Sequence, residues 1–148
     1  MDMTAFRHLY PFESRTTPIR GFKYHYVDEG QGDPLVMIHG NPTWSFYYRH
    51  LIRDLSKDHR AIAVDHLGCG LSDKPGPDRY DYRLKSRVED LEAFLDRLEL
   101  NRKITLIVHD WGGMIGLCYA LRHKDRIGRI VITNTSGFFP PGRGIPFR

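Results

Sequence analysis

The sequence predicts an α/β fold with a mostly parallel sheet that carries helices on both faces. Three observations lead to this prediction: short apolar runs typical of buried strands, helix-like segments between them, and glycine-containing turns directly after the runs. The chain has 148 residues, of which 41% are hydrophobic and 12% aromatic. That length and composition are sufficient for a hydrophobic core, so we expect a globular protein.

The first predicted element is a half-buried strand over residues 19–28, in which Phe22, Tyr24 and Tyr26 alternate with polar neighbours. Turn-forming residues 29–32 follow it and predict a hairpin-like start to the domain. Short, aliphatic or β-branched runs come next and are typical of buried parallel strands. These runs cover residues 35–38, 61–64, 104–108 and 130–132.

Helix-like segments separate the apolar runs. The clearest covers residues 83–98, where apolar side chains recur at helical spacing, and the others cover residues 43–55 and 112–122. Alternating strands and helices predict a parallel sheet that is covered on both faces. Ligands bind such sheets beyond the carboxyl ends of the strands, so the residues that follow each run are where a site is expected.

Composition and charge argue against several classes of protein. The 22 Lys and Arg residues only slightly outnumber the 18 Asp and Glu residues, and the surplus is scattered, which disfavours nucleic-acid or membrane binding. Neither a membrane span nor an N-terminal leader is evident, so we expect a cytoplasmic protein. Cys69 and Cys118 form neither a metal-ligand pattern nor a CxxC pattern, which is typical of a reducing compartment.

The third apolar run leads directly into a candidate catalytic turn, residues 108–113 (VHDWGG). A strand that turns sharply into a helix through small residues forms a nucleophile elbow, and here the residue at its apex is Asp110. A carboxylate in that position can attack a saturated carbon and form an ester. The alternative is that Asp110 only caps the helix that follows.

The loop after the first apolar run, residues 39–44 (HGNPTW), supplies candidate anion-binding groups. Asn41 can donate through its side-chain amide and Trp111 through its indole N–H. Two neutral donors beside an attacking carboxylate suit a leaving group that departs as an anion. Asn41 could instead be a turn residue, since Asn followed by Pro is common in turns.

The glycine-rich loop at residues 65–73 (DHLGCGLSD) is predicted to be structural, because it lacks the lysine of a phosphate-binding P-loop. Asp65 could be a second acid, but a strand-end Asp that bonds the local backbone is the preferred interpretation. His39 lies in a turn, and His109 should point away from its neighbour Asp110 along the strand. Both histidines are therefore predicted to be structural.

Taken together, these loops resemble the signature loops of the haloalkane dehalogenase branch of the α/β-hydrolases. They are residues 39–44, 65–75 and 108–113, and the likeness runs from about Tyr24 to Asn134. Epoxide hydrolases share the elbow pattern, but they more often carry an aromatic residue at the position of Asn41, which favours the dehalogenase side. The β-lactone decarboxylases of bacterial long-chain olefin synthesis resemble the same branch, and these residues do not separate the two.

The resemblance implies an α/β-hydrolase fold and a mechanism. Asp110 would displace halide from a small hydrophobic substrate while the side chains of Asn41 and Trp111 hold the leaving anion, and a His-activated water would then hydrolyse the alkyl ester. The backbone N–H groups of Asn41 and Trp111 would stabilise the oxyanion of that second step. The mechanism calls for no metal and no organic cofactor.

The resemblance also implies a domain boundary. Residues 1–148 are expected to form the N-terminal part of an α/β-hydrolase core domain, truncated before the cap and the last strands, with the cap insertion beginning near residues 135–148. Residues 133–136 contain no carboxylate, so the triad acid and the activating His would follow later strands. We therefore expect the isolated chain to be inactive. The non-enzyme alternative is a truncated homologue that acts as a binding module, and the oligomeric state is open.

Overall fold

A computed structural model describes residues 4–136 of the chain. Within them, six strands form one sheet in the order β1-β2-β4-β3-β5-β6. The strands are Arg15–Ile19 (β1), Phe22–Glu29 (β2), Pro34–Ile38 (β3), Arg60–Val64 (β4), Ile104–His109 (β5) and Ile127–Thr133 (β6). The α-helices are Arg49–Leu55 (α1), Leu84–Arg97 (α2) and Trp111–Arg122 (α3), and short 3₁₀ helices lie at Thr4–Phe6, Ser45–Tyr48 and Lys124–Arg126.

The sheet is mostly parallel, as predicted. Strand β3 pairs in parallel with β4 on one side and with β5 on the other, and β5 pairs in parallel with β6. The antiparallel pairs are β1 with β2 and β2 with β4. Each predicted apolar run lies within a strand, so the loops after β3, β4 and β5 meet at one edge of the sheet.

The predicted hairpin was misplaced. The hairpin joins β1 to β2 through Arg20 and Gly21, whose φ angles of 52° and 80° fit a tight two-residue turn. The residues after Glu29 instead cross to β3, which does not pair with β2 because β4 lies between them. Strand β1 gave no sequence signal because its pattern does not alternate and includes Pro18, which an edge strand tolerates.

The predicted helix over residues 43–55 begins later than expected. Trp44 is extended, with φ −157° and ψ −176°, so regular structure starts with the 3₁₀ helix at Ser45–Tyr48 and continues into α1. The other two predicted helices correspond to α2 and α3 within two residues at each end.

Helices cover both faces of the sheet. Val36 and Ile38 of β3 face the core that α2 and α3 close, whereas Leu35 and Met37 face the core that contains Ile52 of α1. This alternation follows from the two-residue period of a strand. The prediction of an α/β fold with helices on both faces is confirmed.

Strand β6 lies at the edge of the sheet. Its apolar residues Ile130, Val131 and Ile132 are 36%, 45% and 56% exposed, so this edge presents aliphatic side chains to solvent. The expected start of the cap at residues 135–148 falls almost entirely outside the described residues. None of the helices within residues 4–136 has the length and apolar character that a membrane span requires.

Candidate active site

The chain turns abruptly at Asp110, between the end of β5 at His109 and the start of α3 at Trp111. Asp110 has φ 51° and ψ −126°, a region that a residue with a side chain enters only at a cost of about 1–3 kcal/mol. The backbone therefore has the strained strand-to-helix shape expected of a nucleophile elbow.

Glycines allow the close approach that this turn requires. A Cβ atom at Gly112 would collide with the carbonyl oxygen of Ile38, and one at Gly113 would collide with the side chain of Thr135. A Cβ atom at Gly40, on the neighbouring loop, would overlap the carboxylate of Asp110. The small residues therefore leave room both for the helix beside β3 and for the Asp110 side chain itself.

The carboxylate of Asp110 is directed toward the neighbouring loop and away from its own helix. Its Oδ1 accepts a hydrogen bond of 2.9 Å from the backbone N–H of Asn41. The side chain makes no capping hydrogen bond to α3. The interpretation of Asp110 as a helix cap therefore fails for this structure.

The end of β6 and the residues that follow it hold the backbone of the elbow. The carbonyl oxygen of Asp110 accepts hydrogen bonds from the N–H of Gly113 at 2.9 Å and from the hydroxyl of Thr135 at 2.5 Å. The hydroxyl of Thr133 donates to the carbonyl oxygen of Val108 at 2.9 Å. Sequence reasoning considered residues 133–136 only for a missing carboxylate and did not foresee these contacts, because no local pattern reports them.

The side chain of Asn41 is exposed, and its amide oxygen accepts a hydrogen bond from the Cys69 thiol across 3.7 Å. Burial raises the pKa of Cys69, so the thiol keeps its proton and can donate. Because the amide oxygen is engaged, the amide N–H₂ group remains available to an anion. Sequence reasoning missed this role of Cys69, since only the fold brings the second loop next to the first.

Trp111 is the first residue of α3, and its side chain is 42% exposed. Its indole N–H makes no hydrogen bond to another residue within 4–136. The structure thus brings Asn41 and Asp110 into direct contact. The expected binding of one anion by the side chains of Asn41 and Trp111 stays a prediction.

His39, on the loop beside the elbow, already uses both of its ring nitrogens. His39 accepts a hydrogen bond at Nε2 from the backbone N–H of His66 at 3.0 Å, which places its proton on Nδ1, and Nδ1 donates to the carbonyl oxygen of Gly40 at 2.7 Å. Burial lowers the pKa of His39, so its ring is neutral. His109 stacks on Tyr47, with 4.5 Å between ring centroids. Because both ring nitrogens of His39 are occupied, neither is free to activate water.

Asp65 has the structural role predicted for it. Its buried carboxylate accepts hydrogen bonds from Nδ1 of His25 at 2.9 Å and from the backbone N–H groups of Ser45 and Leu71 at 2.8 Å each. Burial alone would raise the pKa of Asp65, but the hydrogen bond and charge of His25 and the two backbone donors outweigh it and leave the pKa below its usual value. Asp65 therefore ties β2 to the loops after β3 and β4.

A strained Asp at a strand-to-helix turn, at the carboxyl edge of a mixed sheet covered by helices, defines a hydrolase-type enzyme scaffold. Residues 33–145 match the family model for the alpha/beta hydrolase fold, so the chain belongs to that family. The resemblance predicted from the loops is confirmed at this level.

Relatives of known activity span three reactions. The chain is 56% identical over 133 residues to a cis-3-alkyl-4-alkyloxetan-2-one decarboxylase of Shewanella oneidensis, covering 90% of this chain and 42% of that protein. It is 41% identical over 135 residues to haloalkane dehalogenase 2 of Mycobacterium tuberculosis, covering 91% and 46%. The solved structure of the epoxide hydrolase CorEH superposes with a TM-score of 0.81 at 29% identity, covering 91% and 47%.

These relatives place the chain in the haloalkane dehalogenase-like branch of the family and among enzymes. The chain spans less than half the length of each relative described above.

Proposed function

We propose that Asp110 is the nucleophile of a carboxylate-nucleophile enzyme and that it forms an ester with a carbon atom of the substrate. The hydrogen bond from the Asn41 N–H to Asp110 Oδ1 carries this proposal. That N–H fixes one carboxylate oxygen and leaves the other, Oδ2, to attack. In a later attack on the ester carbonyl, the same N–H would donate to the oxygen that becomes negatively charged.

A cis-3-alkyl-4-alkyloxetan-2-one, a β-lactone, is the substrate class that we favour. The observation behind this choice is the 56% identity to a decarboxylase of that class, compared with 41% to a haloalkane dehalogenase over a similar length. The lactone contains its own leaving group. When the bond between the ring oxygen and carbon 4 breaks, that oxygen becomes part of a carboxylate, which is a stable anion. In this proposal the amide N–H₂ of Asn41 binds that anion.

The later steps can then regenerate the free Asp110 carboxylate without water. Oδ2 attacks ring carbon 4 and displaces the ring oxygen, which leaves as the carboxylate on carbon 3. The bond between carbon 3 and that carboxylate next breaks, its electron pair forms the alkene, and the carbon–oxygen bond to Asp110 breaks to free the carboxylate. The products are CO₂ and an alkene. Inversion at carbon 4 followed by antiperiplanar loss gives the cis-alkene from the cis-lactone.

Hydrolysis of a haloalkane is the second candidate. The same Asn41 amide supports it, because its N–H₂ group can donate a hydrogen bond to the departing halide. This route differs in how Asp110 is regenerated, because an activated water must cleave the ester at its carbonyl. Water oxygen would consequently enter the Asp110 carboxylate. The β-lactone route leaves the oxygens of Asp110 unexchanged.

A paired substrate assay tests the proposal. A cis-β-lactone and a 1-haloalkane are presented, in H₂¹⁸O, to the chain and to any longer protein whose coding sequence continues in frame beyond Arg148. From the longer protein we expect alkene and CO₂ from the lactone, no ¹⁸O on Asp110, and loss of turnover by at least about 1,000-fold in Asp110→Asn, whereas the 148-residue chain alone should not turn over either substrate. The exposed Asp54→Asn is the matched control and should retain activity.

Halide release with ¹⁸O on Asp110 would instead assign the dehalogenase reaction. Turnover that persists in Asp110→Asn would overturn both candidates.

A further inference from the structure

The residues that follow β6 contact the elbow. The last pair between β5 and β6 joins His109 to Thr133, so the two strands end side by side. Asn134 then has φ 46°, a left-handed conformation that asparagine adopts more readily than most residues with a side chain. This turn ends β6 and places the partly buried Thr135 next to Asp110.

The hydroxyl of Thr135 contacts the peptide group at the apex of the elbow. It donates to the carbonyl oxygen of Asp110 at 2.5 Å, and the N–H of Gly113 donates to the same oxygen at 2.9 Å. A carbonyl oxygen has two lone pairs, so these two donors use both of them. The Gly113 bond lies within the turn itself, whereas the Thr135 bond ties the turn to a different part of the chain.

Gly113 leaves the space that the Thr135 side chain occupies. A Cβ atom at Gly113 would lie 2.0 Å from the hydroxyl oxygen of Thr135 and 2.5 Å from its methyl carbon. Both distances are too short for non-bonded atoms, so a larger residue at position 113 would push the hydroxyl away from the Asp110 carbonyl. The second glycine of the elbow therefore serves the contact with Thr135.

This contact acts on the strained part of the backbone. Asp110 has φ 51° and ψ −126°, and such a conformation persists only where its surroundings enforce it. The ψ angle sets the direction of the Asp110 carbonyl relative to the side chain. Two hydrogen bonds to that carbonyl consequently restrict ψ, and rotation toward a relaxed value would swing the Asp110 side chain relative to α3.

We propose that Thr135 is a positioning residue for Asp110, a role that rests on the proposed function of Asp110 as the nucleophile. By holding the carbonyl oxygen, the Thr135 hydroxyl keeps the turn from relaxing. The carboxylate then stays where its Oδ1 accepts the Asn41 N–H at 2.9 Å and Oδ2 can attack. Thr135 itself does not touch the substrate in this proposal.

Thr135→Val and Thr135→Ser test the hydroxyl, because valine keeps the branched shape without the donor and serine keeps the donor. Intact-protein mass spectrometry follows ester formation on Asp110 over a series of 1-bromohexane concentrations, which separates the limiting rate from the half-saturating concentration. We expect Thr135→Val to lower the limiting rate about tenfold with little change in the half-saturating concentration. Thr135→Ser should stay within about twofold of the unsubstituted chain.

The amide proton of Asn41 gives a second readout that does not require the reaction. Its hydrogen bond to a carboxylate should place its NMR resonance downfield. We expect this resonance to move upfield in Thr135→Val and to stay in place in Thr135→Ser. Thr135→Ala removes the donor without adding bulk, so it should reproduce the valine result and replaces that variant if valine prevents folding.

Thr105→Val is the matched control. Thr105 is also a partly buried threonine, but it lies near the amino end of β5, whereas Asp110 follows the carboxyl end. The substitution should change neither the rate nor the Asn41 resonance.

The outcomes separate this proposal from the proposed function. If the unsubstituted chain forms no ester on Asp110, the proposed function itself fails. If the ester forms and Thr135→Val is as fast as the unsubstituted chain, Asp110 remains the nucleophile and the positioning role of Thr135 is wrong. Equal losses of rate in Thr135→Val and Thr135→Ser, or an Asn41 resonance that does not move in Thr135→Val, would also overturn the role of the hydroxyl.

Discussion

The backbone N–H of Asn41 donates a 2.9 Å hydrogen bond to Oδ1 of Asp110, joining loops that lie 69 residues apart in the sequence. The contact exists because β3 and β5 are adjacent parallel strands in which Ile38 pairs with Val108, so both loops leave the sheet at the same level. Under the proposed mechanism this N–H is the oxyanion donor, and it already lies beside Asp110 in the absence of substrate, which is the preorganisation that such catalysis requires.

Gly40→Ala tests whether the position of the Asp110 carboxylate beside the Asn41 N–H affects the rate of ester formation. The added Cβ atom overlaps the Asp110 carboxylate and must displace it. Since a shift of about 1 Å can cost about 100-fold in rate, we expect the rate of ester formation on Asp110 to fall by about that factor. Intact-protein mass spectrometry over time with an alkyl halide measures the rate. Gly76→Ala is the control, because its Cβ atom would meet only the flexible end of Asp78. An unchanged rate in Gly40→Ala would contradict the proposed geometry.

Gly112→Ala should destabilise the fold. Its Cβ atom would collide with the backbone carbonyl oxygens of Ile38 and His39, which belong to the central strand and its loop and cannot rotate away. We expect the free energy of unfolding to fall by about 2–4 kcal/mol. Urea denaturation at neutral pH measures this change, again with Gly76→Ala as the control. A loss smaller than about 1 kcal/mol would mean that α3 can move away from β3 at little cost.

The elbow was predictable from sequence because its information is local. A run of apolar residues, Asp110 at the apex, and glycines after it specify a strand, a turn and a helix within a few positions. Asn41 was predictable as a neighbour because parallel strands bring their following loops together. The structure shows a hydrogen bond from its backbone N–H to Oδ1 of Asp110, while the oxyanion role that the resemblance implied for this N–H stays a prediction.

The features of the site and fold that were not predicted depend on contacts that sequence patterns do not encode. Cys69 and Thr135 gave no signal because each acts on a residue far away in the chain, through a thiol and a hydroxyl that are equally common in structural positions. The His25–Asp65 pair was missed for the same reason. Strand β1 was missed because an edge strand needs neither alternation nor a continuous set of N–H donors.

Acid should weaken the fold through two adjacent buried histidines. Burial lowers the pKa of His39, and burial beside His39 holds the pKa of His66 well below its usual value. The unfolded chain therefore takes up protons below about pH 6.5 that the folded chain does not, so stability is fully present above that pH and is lost as the pH falls. We expect the free energy of unfolding to fall between pH 7.5 and 5.5 by at most about 1.4 kcal/mol per histidine, the value reached when the ring stays unprotonated in the folded chain.

Urea denaturation across that pH range measures the slope. His66→Gln should roughly halve the pH dependence whatever its effect on absolute stability, whereas His50→Gln, at an exposed position, should leave it unchanged. A free energy of unfolding that is the same at pH 7.5 and pH 5.5 would show that these histidines become protonated within the fold.

The exposed edge of β6 should promote self-association of the 148-residue chain. Val131 and its two apolar neighbours are exposed on a strand that pairs only with β5 among the described strands. A charged residue on such an edge opposes pairing with another strand, so Val131→Lys should lower concentration-dependent association. Light scattering during size-exclusion chromatography measures it. Leu121→Lys, at a position 56% exposed on α3 but not on a strand edge, is the control. Equal effects of the two substitutions would point to general hydrophobicity as the cause.

Covalent capture on Asp110 tests the proposed nucleophile most directly. Trypsin cleavage after Lys103 and Arg122 yields the peptide 104–122, in which Asp110 is the only acidic side chain. After incubation of the 148-residue chain with 1-bromohexane, we expect this peptide to gain one hexyl group that hydroxylamine removes, as it does an ester, and that is absent from Asp110→Asn. An unmodified peptide, or a hydroxylamine-resistant adduct on His109 or Cys118 that persists in Asp110→Asn, would contradict the assignment of Asp110 as the nucleophile.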